Sequence, residues 1–365
     1  MNVPLLNLAI QHERIKKQLD KRYQDCMSHG KFILGPEVIE AETELSNFCG
    51  AKHTLSCSSG TDALRLALMA YNVGPGDEVI TTAFTFIATV EMIIAVGATP
   101  VLVDIDPKTF NIDVLEVEKA ITSKTKAIIP VSLYGKVAPV KALADLVSGK
   151  DIMILEDAAQ SFGAKSESEI SCNTALVSTT SFFPAKPLGC LGDGGAVFTD
   201  NTELYEKMVR IRSHGSAKKY YHTEVGIGGR MDTMQCAFLL EKLTIFSDEL
   251  EKRNAVANFY FDNIKHSDIA LPQKPQDNER HAWAQFTLRS KNRDAHIKSL
   301  KEKGISTSVH YPIPVHKQPA YQSNCKLPLS LKESELAAQE VFSIPMFPYL
   351  TKDELTYTSD CINSL

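Results

Sequence analysis

Short apolar runs alternate along this chain with stretches in which apolar residues recur every three to four positions. Between residues 50 and 200 the runs fall at 78–82, 100–104, 127–131, 152–156, 176–180 and 196–199. Amphipathic patterns at 61–70, 86–96, 114–121 and 140–147 lie between several of them. The runs predict strands buried on both faces, and the wider spacing predicts helices. Their alternation predicts an α/β fold with a mostly parallel central sheet under helices. Ligands in such sheets bind beyond the carboxyl ends of the strands.

The pattern changes after Asp232. Gln235, Leu239, Leu243, Leu250 and Val256, running towards Ile264, predict one long connecting helix. Beyond the break at Leu271-Pro272-Gln273-Lys274-Pro275, a strand is expected over 283–288 and a helix over 293–303. A loop rich in Pro, His and Tyr follows at 310–319. The expected division is a large domain over 1–245, N-terminal segment included, and a smaller C-terminal α+β domain over 246–365. A length of 365 residues suits two domains.

Composition narrows the class. The formal net charge is -5 with no block of like charge, which gives no basis for nucleic-acid binding. Eight cysteines occur without a Cys-x-x-Cys pair, so free thiols are expected and a cysteine-zinc site is not. No signal peptide is expected at the N-terminus, and no apolar run approaches the ~18 residues of a membrane span. His-Glu-x-x-His is absent, which disfavours a zinc hydrolase. A cytoplasmic protein without membrane or metal partners is the expectation.

Candidate chemistry gathers at the strand ends. Lys186 lies in Ser181-Phe182-Phe183-Pro184-Ala185-Lys186-Pro187-Leu188-Gly189, just before Gly192-Asp193-Gly194-Gly195. A lysine held between prolines beside a glycine-dense turn is a candidate for Schiff-base chemistry, because burial frees its amine; an ordinary loop lysine is the alternative. Ser58-Ser59-Gly60-Thr61-Asp62 opens a predicted helix whose free N–H groups suit a phosphate, or form only an N-cap. Asp157, in Glu156-Asp157-Ala158-Ala159-Gln160, ends a strand where a carboxylate could hold a proton on a ring nitrogen, or cap a helix. Either ring of Thr82-Ala83-Phe84-Thr85-Phe86 could stack on a planar ligand, with a core role favoured for Phe84.

Cup, aspartate, aromatic and lysine together describe pyridoxal 5'-phosphate (PLP). With these motifs in order, the chain resembles the DegT/DnrJ/EryC1/StrS family of PLP-dependent nucleotide-sugar aminotransferases. The resemblance runs from Phe32-Ile33-Leu34-Gly35-Pro36-Glu37 to Tyr311-Pro312-Ile313-Pro314-Val315-His316. It implies a fold-type I (aspartate aminotransferase-like) enzyme, a homodimer with active sites at the interface. Lys186 then matches the Schiff-base lysine, Asp157 the partner of the pyridine nitrogen, and Gln160 the neighbour of the ring hydroxyl. Gly60, Thr61 and Ser181 match phosphate binders, and Phe86 matches the stacking position.

Arg230, His310 and Tyr311 match positions near the sugar in the subgroup acting on UDP-linked 3-keto uronic acids. An arginine fork suits a carboxylate, although a structural arginine paired with Asp232 is the alternative. His316 falls near the substrate entrance. One departure stands out: Gly228, in Gly226-Ile227-Gly228-Gly229-Arg230, occupies a position where the family usually has an asparagine that reaches the phosphate from the neighbouring subunit. Lys136 and Pro139 also depart from the family pattern.

The resemblance implies transfer of an amino group from glutamate to a keto sugar for surface polysaccharide or glycoconjugate biosynthesis. Two alternatives stay open at this point: a sugar dehydratase, against which Lys186 speaks, and a catalytically silent regulatory relative. The nucleotide and the C3 or C4 keto position are not legible.

Overall fold

Seven short strands form the central sheet: β1 (His53–Cys57), β2 (Glu78–Thr82), β3 (Thr99–Val103), β4 (Thr125–Ile129), β5 (Met153–Asp157), β6 (Val177–Ser181) and β7 (Gly195–Thr199). The structure is a computed structural model that describes residues 1–365. The spatial order is β1-β7-β6-β5-β4-β2-β3. Only β7 runs against its neighbours, pairing antiparallel with β6 and β1, while the other pairs are parallel.

Both faces are covered, as the continuous apolar runs require. Val79, Ala127, Ile129, Met153 and Leu155 pack with residues of the helices Gly60–Ala70 and Thr202–Arg212. Their neighbours Ile80, Ile128 and Ile154 point the other way, against Val114–Ala120 and Val140–Leu146. This period of two divides each strand between the two faces.

Most expected elements shift by a residue or two. β4 ends at Ile129 rather than 131 because Pro130 has no N–H to continue the ladder. Pairing resumes at a bridge between Val131 and Asp157. The helix expected from residue 86 begins at Ala88, which leaves Phe84 and Phe86 in the turn after β2. β1 is an additional strand.

A hairpin of β8 (Ser216–Lys218) and β9 (Tyr221–His222) precedes the long helix Thr233–Asn263. At 31 residues that helix spans about 45 Å. Cys236, Leu239 and Leu240 join the core under the sheet, while Val256, Ala257 and Tyr260 join a second core. The second core holds Phe286, Leu288, Phe342 and Ile344 of the antiparallel pair β10 (Phe286–Arg289) and β11 (Val341–Ile344). Val3 also packs there: it donates to Gly304 O at 2.9 Å and accepts from Ser306 N at 3.0 Å. No helix is long and apolar enough to cross a membrane.

Candidate functional site

β2, β5 and β6 run in one direction, so their carboxyl ends share one edge of the sheet. Asp157 closes β5 and is buried. Thr89 Oγ1 donates to its Oδ2 at 2.8 Å, and Ala159 N to its Oδ1 at 3.1 Å. Burial pushes the Asp157 pKa up; the hydrogen bonds from Thr89 and Ala159 and the Lys186 charge oppose that rise. Its neighbour Glu156 faces away into a cage of donors: Ser132, Ser171 and Ser178 hydroxyls and the Cys172 N–H, at 2.8–3.0 Å. That cage fixes the end of the strand carrying Asp157.

Lys186 sits in the β6–β7 connection. Phe182 pins this loop: its N–H donates to Gly194 O at 2.8 Å, and its carbonyl accepts from Cys190 N at 2.8 Å. Gly189 is required, since a Cβ there would lie 2.6 Å from Phe183 O. Part of the Lys186 side chain is open, yet burial around its amine pushes the pKa down, partly opposed by Asp157.

The His310-Tyr311 pair, just after the bridge from Ser308 to Ser343 of β11, reaches the same place. Burial lowers the His310 pKa and the Lys186 charge lowers it further. Burial raises that of Tyr311, with the Asp157 charge adding to it. Gln160 meets this pair, donating from Nε2 to Tyr311 OH at 3.1 Å and accepting from Tyr134 N at 2.9 Å. Tyr134 OH in turn donates to the His310 carbonyl. Phe84 is core at 1% exposed, whereas Phe86 is 52% exposed and lies 6.0 Å from the Tyr311 ring. Of the two, only Phe86 is free to cover a ligand.

Next to this cluster, Ser59 caps the helix Gly60–Ala70 by accepting from Asp62 N at 3.1 Å. The N–H groups of Gly60 and Thr61 have no carbonyl within the helix to meet. Gly60 lies so close to Ser181 that a Cβ would come within 2.7 Å of the serine Cβ. A small anion therefore meets two backbone donors and a hydroxyl.

Arg230 Nε is buried without a partner, and no ion pair ties the guanidinium to Asp232. His316 is placed differently: its Nε2 lies 3.0 Å from Glu335 Oε1. A cavity of about 600 Å³ is lined by Asp106, Lys136, Glu279 and His281 among others, and by none of the site residues above. Thr89, Tyr134 and Glu156 are contacts that sequence reasoning did not supply; Glu156 and Tyr134 lay within recognised motifs, whereas Thr89 did not.

The set fits PLP. The cup suits a phosphate, the Lys186 amine, its pKa lowered by burial, suits a carbonyl carbon, and the buried Asp157 carboxylate suits a protonated ring nitrogen. A sequence model of the DegT/DnrJ/EryC1/StrS aminotransferase family matches residues 13–363. The chain is 48% identical to the UDP-2-acetamido-2-deoxy-3-oxo-D-glucuronate aminotransferase of Pseudomonas aeruginosa, over 95% of this chain and 96% of that protein. It is 43% identical to a protein of Geobacillus stearothermophilus named pleiotropic regulatory protein, over 99% and 98% of the two. Among solved structures, NtdA of Bacillus subtilis with bound cofactor PMP superposes with a TM-score of 0.90 at 31% identity, covering 99% of this chain and 84% of that one.

Proposed function

The chain belongs to the DegT/DnrJ/EryC1/StrS aminotransferase family, and from that premise we propose that it moves an amino group from glutamate to C3 of a UDP-linked 3-keto sugar, with a uronate as the favoured form. At the coarser level it is a PLP-dependent aminotransferase acting on the keto group of a nucleotide-linked sugar. The observation that carries the finer reading is the unpaired Arg230 guanidinium, whose fork is suited to the carboxylate of a uronate. The 48% identity to the glucuronate enzyme supports it.

PLP, when bound, supplies an electrophilic carbon and a ring that accepts electron density. Lys186 Nζ acts as the nucleophile and as the base that moves a proton at the substrate α-carbon, for which a depressed pKa is needed. Asp157 holds the proton on the ring nitrogen. Gln160 orients the ring hydroxyl, Phe86 covers the ring, and Gly60, Thr61 and Ser181 hold the phosphate. His310 and Tyr311 line the sugar side; His316, engaged by Glu335, stands at the entrance.

We read the sheet order, with its single antiparallel strand, as fold-type I, aspartate aminotransferase-like, with a larger unit over 1–245 and a smaller one over 246–365. We also read the protein as a homodimer with its sites at the interface. Exposed Phe32, Ile33, Leu34, Phe86 and Phe183 give an apolar surface for the second copy. Eight free cysteines support a cytoplasmic setting. A coupled assay offering glutamate with UDP- and dTDP-linked 3-keto and 4-keto sugars tests the substrate. Turnover highest with the UDP-3-keto uronate supports the reading, and preference for a 4-keto sugar contradicts it.

A further inference from the structure

β10 and β11 each set one hydroxyl among apolar neighbours. Phe286 and Leu288 of β10 and Phe342 and Ile344 of β11 enter the second core, so Thr287 and Ser343 point to the opposite face. The two are cross-strand partners, 2% and 1% exposed, with their hydroxyl oxygens 3.0 Å apart. Ser308 fixes the far side of Ser343: it accepts from Ser343 N at 2.7 Å and donates to Ser343 O at 3.1 Å. Two residues on, His310 brings Nδ1 to 3.0 Å from Ser343 Oγ.

Each hydroxyl has one hydrogen to give, and burial keeps water from supplying another. Tyr134 OH spends its own on the His310 carbonyl, which can only accept. The Thr287 hydroxyl donates to the Tyr134 oxygen, a bond that counters the rise burial imposes on the Tyr134 pKa. With that hydrogen used, Thr287 Oγ1 takes the one from Ser343, and Ser343 Oγ is left to accept from His310 Nδ1. The hydrogen bonds thus run one way round a ring, from the His310 imidazole through Ser343, Thr287 and Tyr134 to the His310 carbonyl. Burial and the Lys186 charge both disfavour a second proton on the imidazole. Nε2 is then a bare acceptor, and the one protein group in reach of it is Ser308 Oγ at 3.4 Å.

We infer that Thr287 and Ser343 are positioning residues: they hold His310 as its Nδ1–H tautomer and leave Nε2 to accept a hydrogen bond from a hydroxyl of the sugar. This deepens the proposed reaction and rests on His310 lining the sugar side. The other tautomer would present a hydrogen at Nε2 and favour an oxygen that can only accept, such as a carboxylate. The ring therefore assigns the sugar hydroxyl to His310 and leaves the carboxylate to Arg230.

Thr287→Val keeps the side-chain shape and removes the hydroxyl. Ser343 then gives its hydrogen to His310 Nδ1, and Nε2 becomes the protonated nitrogen. Thr287→Ser keeps the hydroxyl and the direction of the ring. The tautomer is read from imidazole nitrogen chemical shifts of isotope-labelled, PLP-loaded protein, with His310 assigned by its loss in His310→Ala. The expected result is a bare Nε2 in wild type and Thr287→Ser, and a protonated Nε2 in Thr287→Val. With the nucleotide keto sugar that wild type turns over fastest, Thr287→Val raises KM by about 5- to 50-fold and Thr287→Ser by less than about threefold. In a His310→Ala background Thr287→Val has no further effect, as a residue acting through His310 requires. A protonated Nε2 in wild type overturns the inference whatever the variants do. So does a Thr287→Val effect that is undiminished without His310. If glutamate fails to convert the bound PLP, the transaminase reading falls, while the tautomer in the resting protein still decides this inference.

Discussion

Asp157 and Lys186 oppose what burial does to each other. Burial lowers the lysine pKa and the Asp157 charge raises it; burial raises the aspartate pKa and the lysine charge lowers it. In Asp157→Asn the amine loses its only opposing charge and its pKa falls further. The amine then reacts with pyridoxal at lower pH than in wild type, measurable as a shifted pH profile of the absorbance change. Turnover nevertheless falls about 10²–10⁴-fold, because the ring nitrogen has lost its proton-holding partner.

Arg230 separates a uronate substrate from a neutral one. Arg230→Ala should raise KM for a UDP-3-keto uronate by about 10- to 100-fold, the scale of a lost charge-assisted pair. The corresponding neutral 3-keto sugar should change by less than about threefold. Steady-state kinetics on the two sugars provide the check; equal losses would make Arg230 a general binding residue.

Lys242 is fully buried on the long helix Thr233–Asn263, with its amine unpartnered. Burial pushes its pKa down to about 8. The unfolded chain binds the proton more tightly, so stability rises as pH increases from about 8 towards the ordinary lysine value. The cost is fully present below that window, and amounts to roughly 2–4 kcal/mol. Lys242→Met should be more stable at pH 7 and lack the rise, as read by denaturant unfolding at pH 7, 9 and 10.

His316 is engaged by Glu335 at 3.0 Å, beside the Lys317–Glu335 pair at 2.8 Å. His316→Ala should leave kcat and KM within about threefold and lower stability by about 1 kcal/mol. A large rise in KM on kinetic assay would instead give His316 a contact with the sugar.

Legibility followed the range of the signal. Strands such as β2, where the β-branched Val79-Ile80-Thr81-Thr82 follow one another and are buried, were readable to the residue. β1 escaped because His53-Thr54-Leu55-Ser56-Cys57 mixes polar and apolar residues and owes its place to pairing with β7. The helices Lys16–His29 and Pro36–Cys49 carry many charges and escaped likewise. In the site, Lys186, Asp157 and Gln160 stood within recognisable motifs. The contacts of Thr89 with Asp157 and of Tyr134 with Gln160 were not legible, because they span 68 and 26 positions and exist only once strand ends converge.

The central claim is that Lys186 carries the chemistry. Its most direct test is Lys186→Ala, saturated with PLP, with absorbance and product followed after glutamate and the keto sugar are added. The account predicts a folded protein that lacks the absorbance band of lysine-linked PLP and transfers no amino group at a measurable rate. Transamination at the wild-type rate would contradict it.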